Sequence, residues 1–410
     1  MAGKRVHASL LNTTLLVVGL GYFIDCFDLF LYNAMRVPSL RELGLDGDAL
    51  TKTGILILNL QVVGMLIGSL IWGIAGDRAG RKKALIGSVL IYSIGSLGCA
   101  FVHQVAVYAV LRFLTGVGLA GELGLGAVLV AETVPDGKRE WGLVIYTVFA
   151  YCGVISASLL AGWLPWRTCY AAGGLMGLVL LLGRMALFES GLYEAVARGK
   201  AARGSLRLLL RKKDLLKRWL CCIFFAVPYY FLVNILITLA PEFGKAAGAA
   251  EPIKANIALM VYSLGSIGGA ILCALVGHVW RHRTRTLLFY MLVNAAFVVL
   301  YLTQSGPTAP QFYALCGAMG LGNYYVLLMF AAVEQFGTNM RATAGTSALS
   351  IGRATLVLTN SLFLAFRAGG YDVLQSGACV GLIALLIGLC CLPGLRNTYR
   401  GDMDFIEESP

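Results

Sequence analysis

Long apolar runs separated by short polar stretches dominate the hydrophobicity pattern of this chain. A helix needs roughly 20 predominantly apolar residues to cross the hydrocarbon core of a bilayer. Twelve runs come close to that length, and they predict helices at 11–33, 53–75, 84–102, 106–132, 141–162, 168–188, 219–240, 255–277, 286–303, 311–335, 343–366 and 373–393. The pattern therefore predicts an all-α membrane protein with twelve transmembrane helices.

A longer polar stretch divides these predicted helices six and six. We predict two six-helix bundles, residues 1–188 and 219–410, the second with a short polar tail, joined by a basic linker at 189–218. The linker shows helical periodicity between Leu206 and Leu216. It is either a solvated connection or a basic amphipathic helix that lies on an anionic leaflet.

Composition agrees with a membrane protein and explains the basic charge. Hydrophobic residues form 58% of the 410 residues and charged residues 13%, which is more apolar surface than one soluble core can bury. The net charge is +12, yet 23 of the 33 lysines and arginines fall on one side of the predicted topology and seven on the other. This asymmetry follows the positive-inside rule. It predicts cytoplasmic termini and a cytoplasmic linker, and it requires no nucleic-acid binding.

The two halves share a weak internal repeat. Glu132 at the end of the fourth predicted helix precedes Arg139 by seven residues, and Glu334 at the end of the tenth precedes Arg341 by the same interval. Matched landmarks in corresponding helices indicate duplication of a six-helix unit, which is the parallel-repeat plan of secondary transporters.

The loop between the second and third predicted helices carries the most specific motif, "GIAGDRAGRKK" at residues 73–83. Its glycines permit a tight turn and close helix approach. Asp77 can pair with cations at neighbouring helix ends, and the basic residues anchor the cytoplasmic side. The pattern G-x-x-x-D-R-x-G-x-K-K resembles the loop signature of the major facilitator superfamily, which implies the major facilitator fold over essentially the whole chain.

Other segments narrow the resemblance. "RFLTGVGLAGELGLGAVLVAE" (112–132) and "AAVEQFGTNMRATAG" (331–345) resemble the branch that contains sugar porters, phosphate and carboxylate symporters and organic-ion carriers. In that branch an aspartate of the first helix and an acid or arginine of the fourth serve proton coupling or substrate recognition. Two departures matter. His278 stands where the second-half loop would carry an aspartate, and the G-P-x-x-G-G motif of drug antiporters is absent from the fifth helix.

The first predicted helix contains two aspartates, although a charge at mid-helix costs about 2.5–3.5 kcal/mol on insertion scales. Tyr22, Asp25, Asp28 and Tyr32 share one face at 3.6 residues per turn, and we expect that face to line a wet interior. A carboxylate there can take up a proton when desolvated and release it when hydrated or paired. The predicted proton-coupling residues are Asp25, Asp28 and Glu122. The alternative for Asp28 is a static ion pair with Arg112.

Polar and aromatic side chains at mid-helix depth form the predicted substrate set. Its members are Arg112, Arg353, Tyr22, Asn59, Gln61, Asn234, Asn323, Tyr229 and Tyr324. Arg353 either binds an anionic substrate group or neutralises an acid of the first helix, and each tyrosine has packing as its alternative role. The charged residues at the cytoplasmic helix ends form a predicted gate, comprising Asp77, Arg78, Arg81, Glu132, Arg139, Glu334 and Arg341.

These features predict a secondary active transporter of a small charged or zwitterionic metabolite that works by alternating access with proton symport. The alternatives are a proton-driven exporter of a metabolite or chelator, and a nontransporting sensor on the same scaffold. We predict no enzyme activity, catalytic residue, cofactor or metal, because the eleven cysteines lie in apolar runs without C-x-x-C spacing and the glycine-rich tracts lie within helices. The expected partners are a small-molecule substrate, protons and the lipid bilayer of a bacterial inner membrane, with the chain acting as a monomer.

Overall fold

The computed structural model describes residues 13–135, 138–185, 204–399 and 404–407. Sixteen α-helices, one π-helical segment and one 3₁₀ turn occur in this part of the chain. The helices are α1 Thr13–Glu42, α2 Gly47–Ala79, α3 Arg81–Cys99, α4 Val105–Thr133, α5 Arg139–Leu160, α6 Trp166–Met185, α7 Leu206–Arg211, α8 Lys213–Phe225, α9 Val227–Phe231, α10 Ala240–Ala246, α11 Ala255–Trp280, α12 Arg283–Thr303, α13 Ala309–Leu321, α14 Tyr325–Glu334, α15 Arg341–Ala368 and α16 Val373–Cys391. The π-helical segment is Leu232–Ile237, and the 3₁₀ turn is Leu392–Gly394.

The chain divides into two compact units. The first unit comprises Met1–Arg211, Phe336–Ser350 and Asp402–Pro410, and the second comprises Lys212–Gln335 and Ile351–Gly401. Each unit is described by itself below.

Eleven stretches of the described chain are long and apolar enough to cross a membrane. The remaining predicted span, 84–102, corresponds to α3. The first turn of α3 carries Arg81, Lys82 and Lys83 and is therefore less hydrophobic than the rest of the helix. The prediction that the first span ends near residue 33 is wrong, because α1 continues to Glu42 with Pro38 inside it. Burial of Met35, Ser39 and Leu40 within the first unit explains why this polar end stays helical.

Glycines allow the closest helix approach in the first unit. A Cβ added at Gly64 or Gly68 of α2 would collide with the backbone of Phe113 or Val117 in α4, so only glycine fits at these two positions. Trp72 Nε1 donates a hydrogen bond of 2.7 Å to the Val117 carbonyl one turn further along. Small residues at helix crossings are how membrane helices pack, since lipid gives no hydrophobic drive between them.

The second unit repeats this device. Gly265 and Gly269 of α11 lie against the backbone of Gly317 and Gly320 in α13, again leaving no room for a Cβ. The same crossing therefore joins the second and fourth spans of the first half and the second and fourth spans of the other half, as expected for a duplicated six-helix unit.

Two predicted spans of the second half are discontinuous. The seventh span is α8, α9 and the π-helical segment, with Pro228 in the first turn of α9. The tenth span is broken into α13 and α14 by non-helical residues at 322–324. Both breaks lie within apolar sequence, where hydrophobicity alone predicts an unbroken helix.

The predicted linker lies largely outside the described residues. Its described part begins at Gly204, whose N–H donates to the Asn339 carbonyl at 3.0 Å within the first unit. Helix α7 buries Leu208 and Leu209 and exposes Leu210. The described end of the basic stretch therefore has one buried apolar edge.

Candidate functional site

Asp28 and Arg112 form a buried ion pair in the first unit. Arg112 Nη1 lies 2.9 Å from Asp28 Oδ2, and Ser96 Oγ donates to Asp28 Oδ1 at 2.6 Å. Arg112 Nη2 donates to Gln61 Oε1 at 2.9 Å, which fixes the second edge of the guanidinium. The ion pair with Arg112 that the sequence offers as an alternative for Asp28 is thus present in the structure. A hydroxyl and an amide complete the hydrogen bonding of the two charges.

Aromatic rings surround this pair. The guanidinium carbon of Arg112 lies 5.2 Å from the ring centre of Tyr32 and 5.3 Å from that of Tyr170. Tyr108 and Tyr170 share a hydroxyl hydrogen bond of 2.8 Å beside it. Ring faces stabilise a cation in a desolvated site, and Arg112 is fully buried beside these rings.

Glu122 forms a second buried ion pair, with Arg184 of α6. Ser88 Oγ donates to Glu122 Oε1 at 3.3 Å, and Arg184 Nη1 donates to the Leu85 carbonyl at 3.1 Å. Tyr146 donates to the backbone carbonyl of Glu122 at 2.6 Å and so fixes this turn of α4. Sequence reasoning missed Arg184, because the partners lie on different helices and Arg184 reads as an ordinary cation near the end of a span.

The polar face of α1 is buried, as its periodicity predicts. Tyr22, Asp25, Asp28 and Tyr32 are each at most 1% exposed. Tyr22 stacks on Tyr146 with ring centres 4.4 Å apart. In this conformation an arginine and a hydroxyl group contact the carboxylate of Asp28, and the same holds for Glu122 on α4; contact of these acids with water stays a prediction.

The two polar substrate candidates of α2, and two residues of the predicted gate, differ in burial. Gln61 is buried against Arg112, whereas Asn59 lies on the exposed face of α2. At the basic-loop end, Arg78 is exposed and Arg139 is half-buried. Among these four, only Gln61 therefore belongs to the buried charge network around Asp28.

Four residues of the predicted gate meet in the first unit. Glu132 Oε1 lies 3.2 Å from Arg81 Nη2 and 2.9 Å from Arg341 Nη1. Asp77 lies 3.4 Å from Arg81 Nη1 and also accepts hydrogen bonds from the first turn of α15. Arg81 Nη2 donates to the Thr338 carbonyl at 2.8 Å. Two carboxylates and two guanidinium groups thus form one buried network, which the loop motif and the repeated Glu-x₆-Arg pattern predict in part.

Glu334 has a corresponding but simpler site in the second unit. Its Oε2 accepts from Thr398 Oγ1 at 2.6 Å and lies 3.5 Å from Arg283 Nε. His278, at the position that lacks the aspartate, is exposed, whereas Asp77 is 1% exposed. The acid of the repeated pattern therefore keeps an arginine partner in both halves, and the buried loop carboxylate occurs at Asp77 and not at its second-half counterpart.

Tyrosines form a cluster beside the two helix breaks of the second unit. Tyr229 stacks on Tyr325 at 4.8 Å and meets Tyr230 and Tyr324 edge to face at 5.1 and 6.1 Å between ring centres. Asn323 Oδ1 accepts from the Tyr325 N–H at 2.7 Å. Asn323 thereby caps the start of α14, where backbone donors lack intrahelical partners.

The remaining candidates of this unit lie close to the same cluster. Asn234 Nδ2 donates to the Tyr230 carbonyl at 2.9 Å, within the turn where the helix changes to π geometry. Arg353 is 9% exposed and follows Gly352 on α15. A Cβ at Gly352 would lie 3.9 Å from Tyr230 Cε2, which places this turn of α15 next to the tyrosines.

Comparison with known proteins decides the family. A sequence profile described as the Major Facilitator Superfamily matches residues 18–360. The chain belongs to the Major Facilitator Superfamily. The predicted fold class, an all-α membrane protein of twelve spans with the major facilitator fold, is confirmed, and the chain is a multi-pass membrane transporter of that superfamily.

Individual relatives within the superfamily are similar over most of their length. The chain is 29% identical over 339 residues to the 3-(3-hydroxy-phenyl)propionate transporter of Escherichia coli strain K12, covering 78% of this chain and 80% of that protein. It is 26% identical over 422 residues to the gentisate transporter of Corynebacterium glutamicum, covering 97% and 90%. The structure of the proton:xylose symporter XylE matches with a TM-score of 0.72 at 14% identity, covering 96% and 97%, which shows the shared fold alone.

Proposed function

We propose that this Major Facilitator Superfamily member imports a small aromatic carboxylate by alternating access, together with protons. The observation that carries the proton part is the Asp28–Arg112 pair. Burying two charges at membrane depth is costly, so such charges usually mark a functional site. The names of the relatives support the substrate class, since both are transporters of aromatic carboxylates. The stacked tyrosines of the second unit, beside the turn of α15 that carries Arg353, support the same class.

The proposed coupling step is a change of partner at Asp28. Protonation of Asp28 would leave the Arg112 cation with Gln61 and two rings but no anion, and an uncompensated buried charge is strongly unfavourable. The first unit would then favour a conformation in which Arg112 is better solvated. Return of the proton to water would restore the pair, so Asp28 links proton release to the conformational cycle. Glu122, paired with Arg184, is the second candidate for this role.

The experiment is uptake into proteoliposomes with an imposed pH gradient. The substrates are gentisate, 3-(3-hydroxyphenyl)propionate and benzoate, with xylose as the neutral control. We expect one of the acids to accumulate when the outside is acidic and to stop accumulating when a protonophore is added. Gradient-independent uptake would remove the proton from the mechanism, accumulation under the opposite gradient would indicate export, and transport of xylose alone would overturn the substrate class.

We also propose the membrane placement that the charge asymmetry predicts. The protein resides in a bacterial inner membrane as a monomer, with both termini and the basic loops in the cytoplasm. A C-terminal alkaline phosphatase fusion is expected to be inactive and a C-terminal fluorescent protein fusion fluorescent. The reverse pattern would overturn this orientation, and a stable dimer mass in lipid nanodiscs would overturn the monomer.

A further inference from the structure

A cavity of about 170 Å³ lies within the second unit, behind the break between α13 and α14. Its walls are mainly apolar and come from α9, the π-helical segment, α12 and α16, with Phe231, Met291 and Val298 among them. Val299 and Leu382 also line it, and they are 58% and 59% exposed on a surface that faces lipid in a membrane transporter. The cavity is therefore accessible from the bilayer.

Two buried polar groups line this apolar space. Asn294 is 7% exposed, and its Nδ2 donates both to the Gly322 carbonyl and to the Tyr290 carbonyl. These two bonds fix the orientation of the amide, and the Asn294 Oδ1 acceptor has no hydrogen-bond partner in the described part of the chain. Tyr324 is 2% exposed; the backbone N–H of Tyr229 approaches its hydroxyl oxygen, and the hydroxyl proton has no acceptor among the described residues. A buried polar group left unsatisfied is destabilising, so the free acceptor of Asn294 and the free hydroxyl proton of Tyr324 in one cavity point to a ligand.

The size and polarity of the cavity define that ligand. A cavity of about 150 Å³ with an apolar lining is known to hold benzene, so one aromatic ring matches this volume. A hydroxyl on the ring supplies the donor that Asn294 Oδ1 lacks and the acceptor that the Tyr324 hydroxyl proton lacks. No charged side chain lines the cavity, and an ion would remain unpaired there. A single water molecule would satisfy the polar atoms but leave the apolar volume empty.

We infer that this cavity is a binding site for a small neutral phenol that enters from the membrane. The site is distinct from the proposed carboxylate transport function, since its ligand is uncharged. The ring of Tyr324 also packs on Phe225 and Tyr229, with centres 5.8 and 6.1 Å apart. Occupancy therefore acts on the tyrosine cluster and on the unwound residues that Asn294 holds, and it stabilises this arrangement of the tenth span.

Fluorine NMR in lipid nanodiscs tests the inference with 4-fluorophenol as the ligand and 1,4-difluorobenzene as a probe of similar size without a hydrogen-bond donor. Ala295→Leu fills the cavity, and Ala296→Leu is the matched control, because Ala296 is exposed and does not line the cavity. We expect saturable binding of 4-fluorophenol to the wild-type protein and to Ala296→Leu. We expect binding to Ala295→Leu to be weaker by about tenfold or more.

Tyr324→Phe provides an independent variant that removes one oxygen and keeps the ring. It is expected to weaken binding of 4-fluorophenol severalfold and to leave the weaker binding of 1,4-difluorobenzene unchanged. Equal binding of 4-fluorophenol to wild type and Ala295→Leu, or no saturable binding at all, overturns the site. Equal binding of both probes to wild type overturns the phenol class. These readouts require no transport, so the proposed function can fail independently.

Discussion

Asp77 accepts a hydrogen bond of 2.8 Å from the backbone N–H of Thr343, although 266 residues separate the two in sequence. The carboxylate also accepts from the Thr343 hydroxyl at 2.7 Å and from the Ala342 N–H at 3.1 Å. Helix α15 begins at Arg341, so these N–H groups belong to a first turn that lacks intrahelical partners. The loop aspartate therefore caps a distant helix and places negative charge at the positive end of its dipole.

Replacing Asp77 should destabilise the start of α15. We expect Asp77→Ala to lower stability by at least about 1–2 kcal/mol, the usual cost of losing a helix cap, because the buried Arg81 also loses a carboxylate partner. We expect Asp77→Asn to cost less because one acceptor remains. The measurement is the thermal unfolding midpoint in detergent. Asp46→Asn is the control, since Asp46 is exposed and makes no side-chain cap. An Asp77→Ala midpoint equal to that of wild type would contradict this account of the contact.

Glu132 is shared by Arg81 and Arg341, and its loss should be the most damaging change in the predicted gate. Glu132→Gln leaves two buried guanidinium groups with one anion fewer, and breaking a buried pair costs about 3–5 kcal/mol. We expect the double variant Glu132→Gln/Arg341→Gln to be more stable than Glu132→Gln alone, because one of the excess cations is removed. Unfolding midpoints of the three proteins measure this difference.

Glu251→Gln is the matched control for this experiment, because Glu251 is exposed in the second unit. It should unfold like wild type. A double variant less stable than Glu132→Gln would mean that Arg341 stabilises the protein through other contacts, and it would overturn the charge-balance argument.

These contacts show which parts of the structure the sequence can predict. Eleven spans follow directly from hydrophobicity, because a bilayer demands long apolar helices wherever the chain crosses, and α3 follows from the apolar run after its basic first turn. The motif around Asp77 predicts pairing with cations at helix ends, and Arg81 fulfils it. Capping of α15 is not predictable, since backbone N–H groups carry no sequence signal. The break at 322–324 is hidden in the same way, because the side chain that holds Gly322, Asn294, comes from another helix.

Asp28→Asn should separate binding from coupling. The amide imitates a protonated carboxyl and cannot cycle, so we expect the variant to exchange substrate across the membrane but to lose accumulation driven by a pH gradient. Gln61→Leu is the comparison, because it removes the neutral partner of Arg112 and leaves both charges. It should reduce the rate of uptake and keep gradient dependence. Gradient-driven accumulation by Asp28→Asn would exclude Asp28 as the proton carrier.

The tyrosine stack should contribute to substrate affinity. Tyr325→Leu removes the ring that stacks on Tyr229 at 4.8 Å, and aromatic pairs are worth about 0.5–1.5 kcal/mol beyond burial. We expect KM for the transported acid to rise by about twofold to tenfold, with little change for Tyr325→Phe. Tyr371→Leu is the control, because Tyr371 is 45% exposed and packs on Phe366 away from the breaks. An unchanged KM in Tyr325→Leu would assign the cluster to packing alone.

The pair of Glu122 and Arg184 offers the sharpest separation of structural and functional charge. Glu122→Gln leaves Arg184 as a buried cation without its anion. Loss of transport in that variant alone is therefore explained either by a damaged structure or by the loss of a proton-binding group. The double variant Glu122→Gln/Arg184→Gln removes both charges, and replacing a buried pair with neutral groups is often tolerated. We therefore expect it to unfold at a higher temperature than Glu122→Gln.

Transport by this double variant then discriminates between the two roles. If Glu122 carries a proton, the double variant is folded and exchanges substrate but no longer accumulates it under a pH gradient, since no titrating group remains at this site. If the pair only holds α4 against α6, neutralising both partners preserves accumulation. Glu42→Gln is the control, because it removes an acid that pairs with Arg167 at 2.9 Å in a partly exposed position. Full accumulation by the double variant would leave Asp28 as the principal candidate for the proton, because its carboxylate would then be the one still paired with a buried arginine on α4.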